Sequence, residues 1–255
     1  METTERPKNE LVRIIPSKRS VIFAADVRGF LKLADLAQAM YGIDGIGGCK
    51  LGFTLAMQDL EAATRIVKRN MGPSFPVIYD HQKAGNDIPE MGAPFADGLK
   101  EAGVDAAILF PFSGPATQKA WMKACNDVGL QVIVGGVMTH ANFLVSEGGY
   151  IADESVERIY RNACVWGGKH FVVPGTKIDW VERIHSWLVE ELGDGNFVLY
   201  APGFITQGGD ISECGLAAGN EWHAIVGSAI YKQPTTEAQR QAAITITSQI
   251  VDASA

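Results

Sequence analysis

Ionisable residues of alternating charge follow three short apolar runs in the first third of the chain. They are Asp26, Lys50, Asp80, Lys83 and Asp87, the last three within the segment YDHQKAGNDIP. Charges withdrawn from water must be paired, and an alternating set of lysines and aspartates pairs them and holds each group in its charged form. One such residue alone is typical of a helix cap or a solvated charge, whereas the whole set predicts a catalytic site built on fixed charge.

A second set of residues, rich in glycine, lies in the last quarter of the chain. Pro202 and Gly203 precede the segment QGGD, which begins at Gln207, and Gly227 and Ser228 end the last apolar run. Backbone N–H groups in glycine-rich loops of this kind bind phosphate. Any single glycine here could be a simple turn, but together these loops predict a subsite for an anionic group.

The chain contains eight short apolar runs, and a longer amphipathic stretch follows each of them. The runs cover residues 21–26, 46–52, 75–80, 106–112, 130–138, 170–175, 197–203 and 222–228. Near-continuous apolar runs are typical of parallel strands that are covered on both faces. The pattern predicts an α/β fold, a single-domain (β/α)8 TIM barrel over residues 21–255, with an N-terminal arm over residues 1–20. A doubly wound open sheet is the alternative, but it commonly has fewer strands than the eight predicted here.

In such barrels the active site forms at the C-terminal ends of the strands. This rule brings Asp26, Lys50 and Asp80 together and adds Thr139, which follows the fifth run. His81 and His140 also lie near these ends. Alternation along a strand directs Cys49 away from Lys50, and we expect Met138 and Trp222 in the core. The last helix is predicted to begin with a capping box formed by Thr236 and Gln239.

Composition narrows the classes of partner. The net charge of −7 disfavours nucleic acid, and no apolar run approaches the ~20 residues of a membrane-spanning helix. The polar, charged N-terminus shows no apolar signal core, so we expect no export. Four separated cysteines predict reduced thiols in a cytoplasmic enzyme. Five scattered histidines lack metal-ligand spacing, so we expect no metal.

Several segments together resemble the orotidine 5′-monophosphate decarboxylase family, most of all its short archaeal form. CKLG resembles the lysine-bearing second strand of that family, YDHQKAGNDIP its D-x-K-x-x-D-I-P signature, and VMTH its M-S-H segment. APGFITQGGD is similar to its P-G-I-x-x-Q-G-G-D phosphate loop, and the order of FVVPGTK, this loop and IVGSAIY is the most specific part of the likeness. The resemblance covers residues 21–251.

This resemblance implies decarboxylation of orotidine monophosphate to uridine monophosphate without a metal or an organic cofactor. It implies that Lys50 and Asp80 belong to a charged network and that Lys83 donates the proton. It also implies a homodimer, because Asp87 would enter the neighbouring subunit's site.

The same resemblance implies roles in holding the substrate. Asp26 would bind the ribose and Thr139 the pyrimidine. The phosphate would be bound by Gln207, Tyr231 and the backbone of Gly227 and Ser228, and the loop over residues 202–210, beginning at Pro202, would close over it.

The chain departs from the family pattern at two places. Two extra residues lie between Asp80 and Asp87, and Ser228 stands where the family has an arginine that binds phosphate. We hypothesise that Lys232, Arg28 or Lys177 compensates for the missing arginine.

Two other functions stay open at this point. A magnesium-dependent sugar-phosphate lyase on the same barrel, of the hexulose-phosphate synthase or ketogulonate-phosphate decarboxylase type, would share the Asp–Lys–Asp strand but lacks the Q-G-G-D loop. A nucleotide-binding barrel without catalysis would bind the ligand but not turn it over.

Overall fold

Eight parallel strands close into a barrel in the computed structural model, which describes residues 10–81, 86–204 and 210–252. The strands are β1 (Arg19–Ala24), β2 (Ile46–Leu51), β3 (Val77–Asp80), β4 (Ala106–Leu109), β5 (Gln131–Gly135), β6 (His170–Val172), β7 (Val198–Pro202) and β8 (Trp222–Val226). Each strand pairs with its sequence neighbour, and β8 pairs with β1. The predicted single (β/α)8 TIM barrel is confirmed, with each strand inside or within two residues of its predicted run. β1 begins at Arg19, inside the segment predicted as the arm.

Helices follow the strands and cover the outside of the barrel. They are α1 (Phe30–Met40), α2 (Phe53–Met71), α3 (Gly92–Glu101), α4 (Pro115–Asp127), α5 (Asp153–Val165), α6 (Ile178–Leu192), α7 (Ile211–Ala218), α8 (Ser228–Tyr231) and α9 (Thr236–Asp252). None of the described helices combines the length and the apolar character needed to cross a bilayer.

The predicted capping box of the last helix is wrong by one residue. The hydroxyl of Thr235, not that of Thr236, accepts a hydrogen bond from the N–H of Ala238 at 3.1 Å. The side chain of Gln239 instead donates to the carbonyl groups of Tyr231 and Gln233, each at 3.4 Å. Adjacent threonines are equivalent in sequence, and the path of the preceding turn decides which of them caps the helix.

Two apolar layers share the strands because successive side chains point to opposite faces. One layer fills the barrel and includes Ile22, Ile78, Ile108 and Ile225. The other lies between the strands and the helices and includes Cys49, as predicted for that residue. Trp222 is fully buried in this outer layer, which confirms it as a core residue.

The segment before β1 closes the N-terminal end of the barrel. Ile15 is 1% exposed and packs with the residues that fill the barrel. A Cβ atom at Gly47 would overlap the side chain of Ser20 and would lie 2.8 Å from Cγ2 of Ile15, so β2 carries a glycine where both residues pack against it. Arg13 anchors the segment through two hydrogen bonds to Glu221 of 3.0 and 2.9 Å.

Buried polar groups continue this closure into the barrel. His170 Nε2 lies 2.9 Å from the carbonyl oxygen of Val12, and its Nδ1 lies 3.1 Å from the hydroxyl of Tyr200. A carbonyl only accepts, so Nε2 donates, and the hydroxyl of Tyr200 donates to Nδ1 of the neutral ring. Beside this pair, Ser20 Oγ and His223 Nδ1 are 2.8 Å apart. We call His170, Tyr200, His223 and Ser20 the barrel-floor network.

Candidate active site

A cavity of about 640 Å³ opens at the C-terminal ends of the strands. Residues of each of the eight strands, or of the loop that follows the strand, line this cavity. Of the residues predicted for the site, those that line it are Asp26, Lys50, Asp80, Thr139, Pro202, Gly227, Ser228 and Tyr231. The charged set and the phosphate-loop set therefore lie around one cavity.

Strand alternation delivers the charged residues to the cavity. In the ladder, Ala24 of β1 pairs with Lys50 of β2, and Lys50 pairs with Ile78 of β3. Asp26 and Asp80 lie two residues beyond Ala24 and Ile78, so both point to the same inner face as Lys50. Three adjacent strands thus present their last inward positions side by side.

Lys50 lies between two carboxylates on the cavity floor. Its Nζ is 2.6 Å from Oδ2 of Asp80 and 3.5 Å from Oδ1 of Asp26. Asp80 is fully buried and Lys50 is 5% exposed, whereas Asp26 reaches solvent. Burial opposes the charge on Lys50, but the two carboxylates outweigh it and raise the pKa of the ammonium above its ordinary value. The site therefore holds a permanent cation with one buried and one accessible anionic partner.

The residues predicted to bind phosphate line the mouth next to the charged residues, because β8 pairs with β1. Pro202 ends β7, and Gly227 lies between β8 and α8, which begins at Ser228. Tyr231 packs close to Gly227, where a Cβ atom would lie 3.3 Å from its ring. Burial, with Asp26 nearby, raises the pKa of the Tyr231 phenol, so it stays a hydrogen-bond donor. Gln207 lies outside the described residues.

Asp87 does not join the described cavity of its own chain. Its carboxylate is exposed and accepts only the N–H of Ile88 among the described contacts, at 2.7 Å. Its carbonyl accepts the hydroxyl of Thr117 at 3.1 Å, and Trp121 Nε1 donates to the carbonyl of Ile88 at 3.0 Å. These bonds fix the backbone after β3 and leave the carboxylate on the surface. Lys83 lies outside the described residues.

Apolar side chains also line the cavity, and two of them, Met138 and Phe110, were not predicted as site residues. Met138, expected in the core, is only partly buried and lines the cavity beside Thr139. Phe110 also lines it, two positions beyond the inward Ile108, so strand alternation would have found it. Its ring lies against Gly135, where a Cβ atom would overlap it. His140 lines the mouth, whereas the ring of His81 packs against the rings of Phe95 and Trp121.

The three cations considered as substitutes for the missing arginine lie elsewhere. Lys177 forms a 2.5 Å ion pair with Glu147, whose other oxygen accepts the N–H of Phe143. Arg28 and Lys232 are exposed. None of the three lines the cavity as far as the described chain forms it.

Sequence similarity to a curated relative shows which family the chain belongs to. Orotidine 5′-phosphate decarboxylase of Methanosarcina barkeri is 30% identical over 237 residues, which cover 91% of this chain and 95% of that protein. The chain belongs to the orotidine 5′-phosphate decarboxylase family. The enzyme of the same name from Methanosarcina acetivorans is 28% identical over 232 residues, covering 90% of this chain and 96% of that one. No family model matches the chain.

Solved structures of decarboxylases of this family share the fold. That of Methanocaldococcus jannaschii, in complex with the inhibitor BMP, aligns with a TM-score of 0.75 at 20% identity, covering 91% of this chain and 98% of the other. That of Pyrococcus horikoshii aligns with a TM-score of 0.72 at 24% identity, covering 91% and 99%. These structures confirm the fold, and the Methanosarcina barkeri relative confirms the family resemblance inferred from the motifs.

Proposed function

We propose that this chain is a carboxy-lyase that converts orotidine 5′-monophosphate to uridine 5′-monophosphate. The observation that carries the proposal is the Asp26–Lys50–Asp80 arrangement on the floor of the cavity, with Lys50 and Asp80 buried and Asp26 accessible. It supplies fixed charge where a family member must stabilise charge that develops on the substrate.

The reaction explains why fixed charge suits this site. The bond between the ring carbon and the carboxylate breaks, carbon dioxide leaves, and the electron pair stays on the ring carbon. Ordinary delocalisation does not stabilise this carbanion, so preorganised charge must do so. A proton then takes the place of the carboxylate, and we assign its donation to Lys83 by resemblance to the family. Asp80, held by Lys50, would border the reacting carbon.

Separate groups of residues would bind the ribose, the pyrimidine and the phosphate of the substrate. Asp26, the accessible carboxylate, would accept the ribose hydroxyls, and Thr139 would contact the pyrimidine. Pro202, Gln207, Tyr231 and the backbone of Gly227 and Ser228 would hold the phosphate. Because the phosphate lies away from the reacting carbon, its binding energy can favour closure of the loop over residues 202–210.

A homodimer with shared sites completes the proposal. Asp87 is exposed, and apolar side chains beside it are exposed as well: Ile88 is 58% and Met91 41% accessible. Met57 of α2, whose helix starts at the same end of the barrel, is 82% accessible. These exposed apolar side chains and the exposed carboxylate of Asp87 suit a self-complementary contact in which Asp87 enters the partner's cavity. The four free, buried thiols fit a reducing compartment, so the proposal extends to the cytoplasm.

The first test is turnover of orotidine monophosphate, followed by ultraviolet absorbance with EDTA present. We expect turnover in the wild type, no effect of EDTA, and loss of activity in Lys83→Ala. Lys68→Ala is the matched control, because Lys68 pairs with Asp105 away from the cavity. Activity that requires magnesium would instead favour the sugar-phosphate lyase, and tight nucleotide binding without turnover would favour the binding protein.

Subunit mixing tests the shared site. Lys83→Ala and Asp87→Ala should each be nearly inactive alone. A hybrid of one subunit of each kind contains one site with both residues intact, so random mixing should restore about a quarter of wild-type activity. Mixtures that stay as inactive as their components would show that each chain uses its own Asp87.

A further inference from the structure

Gly52 lies directly after β2 and next to the charged residues of the site. A Cβ atom built on Gly52 would overlap Oδ1 of Asp26 and would lie 3.7 Å from Cγ of Asp26 and 4.0 Å from Nζ of Lys50. The carboxylate of Asp26 therefore occupies the volume that any side chain at position 52 would need.

The backbone of Gly52 gives no separate reason for glycine. Its φ of −93° and ψ of 174° lie in the extended region that every residue adopts. Gly52 is buried and precedes the first turn of α2, where its carbonyl accepts the N–H groups of Leu55 and Ala56, each at 3.2 Å. Serine or aspartate would cap that helix at least as well as glycine. Conformation and capping thus permit a side chain that only the position of Asp26 excludes.

We propose that Gly52 is a positioning residue, which keeps open the space where the Asp26 carboxylate sits 3.5 Å from Lys50. The inference rests on the proposed function, since it makes the ribose-binding geometry of Asp26 depend on position 52. The short side chain of Asp26 has few rotamers. A methyl group at position 52 therefore moves its carboxylate away from Lys50 and from the substrate.

The test combines two substitutions at position 52 with removal of Asp26. Gly52→Ala and Gly52→Ser should each lower kcat/KM for orotidine monophosphate about 10- to 100-fold, the effect of losing one hydrogen bond to a charged group. Most of this change should appear in KM. In the Asp26→Ala background the space is already free, so adding Gly52→Ala should change kcat/KM by less than about 2-fold. Gly98→Ala is the control, because a Cβ atom there meets nothing within 4 Å.

The pattern of results separates positioning from a general effect on the fold. Equal losses in Gly52→Ala and Gly52→Ser, absent from the Asp26→Ala background, support the proposal. Wild-type activity in Gly52→Ser would assign the role to helix capping instead. Equal additional losses in the Asp26→Ala background would assign it to the backbone, and either of these two results overturns the proposal.

A crystal structure of Gly52→Ala gives a readout that does not depend on turnover. The distance between Lys50 Nζ and the Asp26 carboxylate should exceed 4 Å, while the contact between Lys50 and Asp80 remains. An unmoved Asp26 would overturn the proposal. If the wild type fails to decarboxylate orotidine monophosphate, the proposed function fails, and this distance still decides whether Gly52 positions Asp26.

Discussion

Replacing Lys50 by Met is expected to lower kcat/KM at least about 100-fold and to lower the free energy of unfolding by about 3–5 kcal/mol. Lys50 is nearly inaccessible, and its Nζ contacts the fully buried Asp80 at 2.6 Å. Methionine keeps the length of the side chain but removes the charge, so the buried carboxylate loses the ammonium 2.6 Å from it. The substrate loses fixed positive charge at the same time.

A double-mutant cycle separates the stability that comes from the Lys50–Asp80 ion pair from the stability that each side chain contributes alone. Asp80→Asn should also lower stability and activity, because it leaves the ammonium of Lys50 without its nearest anion. The double variant Lys50→Met/Asp80→Asn should be more stable than the sum of the single effects predicts, since both charges of the 2.6 Å pair are then removed together. Its activity should not recover.

Lys68→Met is the control, because it also replaces an ion-paired lysine by methionine but lies away from the cavity. Lys68 Nζ lies 3.1 Å from Asp105 at the partly exposed outer side of the barrel, so its loss should cost less than about 1 kcal/mol and leave turnover unchanged. Additive stability losses at positions 50 and 80 in urea unfolding experiments would contradict the coupling.

Acidification from pH 7 to pH 4 is expected to destabilise the fold through the barrel-floor network. Burial lowers the pKa of His170 to about 4, against a smaller opposing effect of its bond to Val12. Burial, together with His170 and Arg13, lowers the pKa of His223 to about 3. In the unfolded chain both rings take up protons near pH 6.5, so the unfolded state binds more protons throughout this range. Stability therefore falls as the pH falls from about 6.5, and the loss for His170 is complete below about pH 4.

The expected loss is large for a single side chain. A pKa difference of one unit is worth about 1.4 kcal/mol, so His170 alone should cost about 3 kcal/mol by pH 4. Urea unfolding at pH 7, 6, 5 and 4 measures this loss of stability. The double variant His170→Gln/His223→Gln should show a flatter pH dependence, even if it is less stable at pH 7. His140→Gln, at an exposed position, should keep the wild-type slope. Equal slopes in all three proteins would contradict the prediction.

Local periodicity was enough to locate the barrel and half of its site. The near-continuous apolar runs gave the eight strands, because parallel strands covered on both faces need apolar residues at every position. The rule that barrel sites form at the C-terminal ends of strands brought Asp26, Lys50 and Asp80 together. Strand alternation explains their common inner face, since a side-chain period of two does not depend on distant residues. The same rule would have found Phe110, which carries no charge to draw notice.

Contacts between distant parts of the chain were decided only by the tertiary structure. Arg13 and Glu221 are 208 residues apart in the sequence, and the barrel-floor network joins β1, β6, β7 and β8. No local pattern encodes such pairings, because each partner is an ordinary residue until closure of the barrel brings the strands together. The need for glycine at position 52 is of the same kind. It comes from the carboxylate of Asp26 beyond the neighbouring strand, and the lateral pairing of β1 with β2 sets the distance between them.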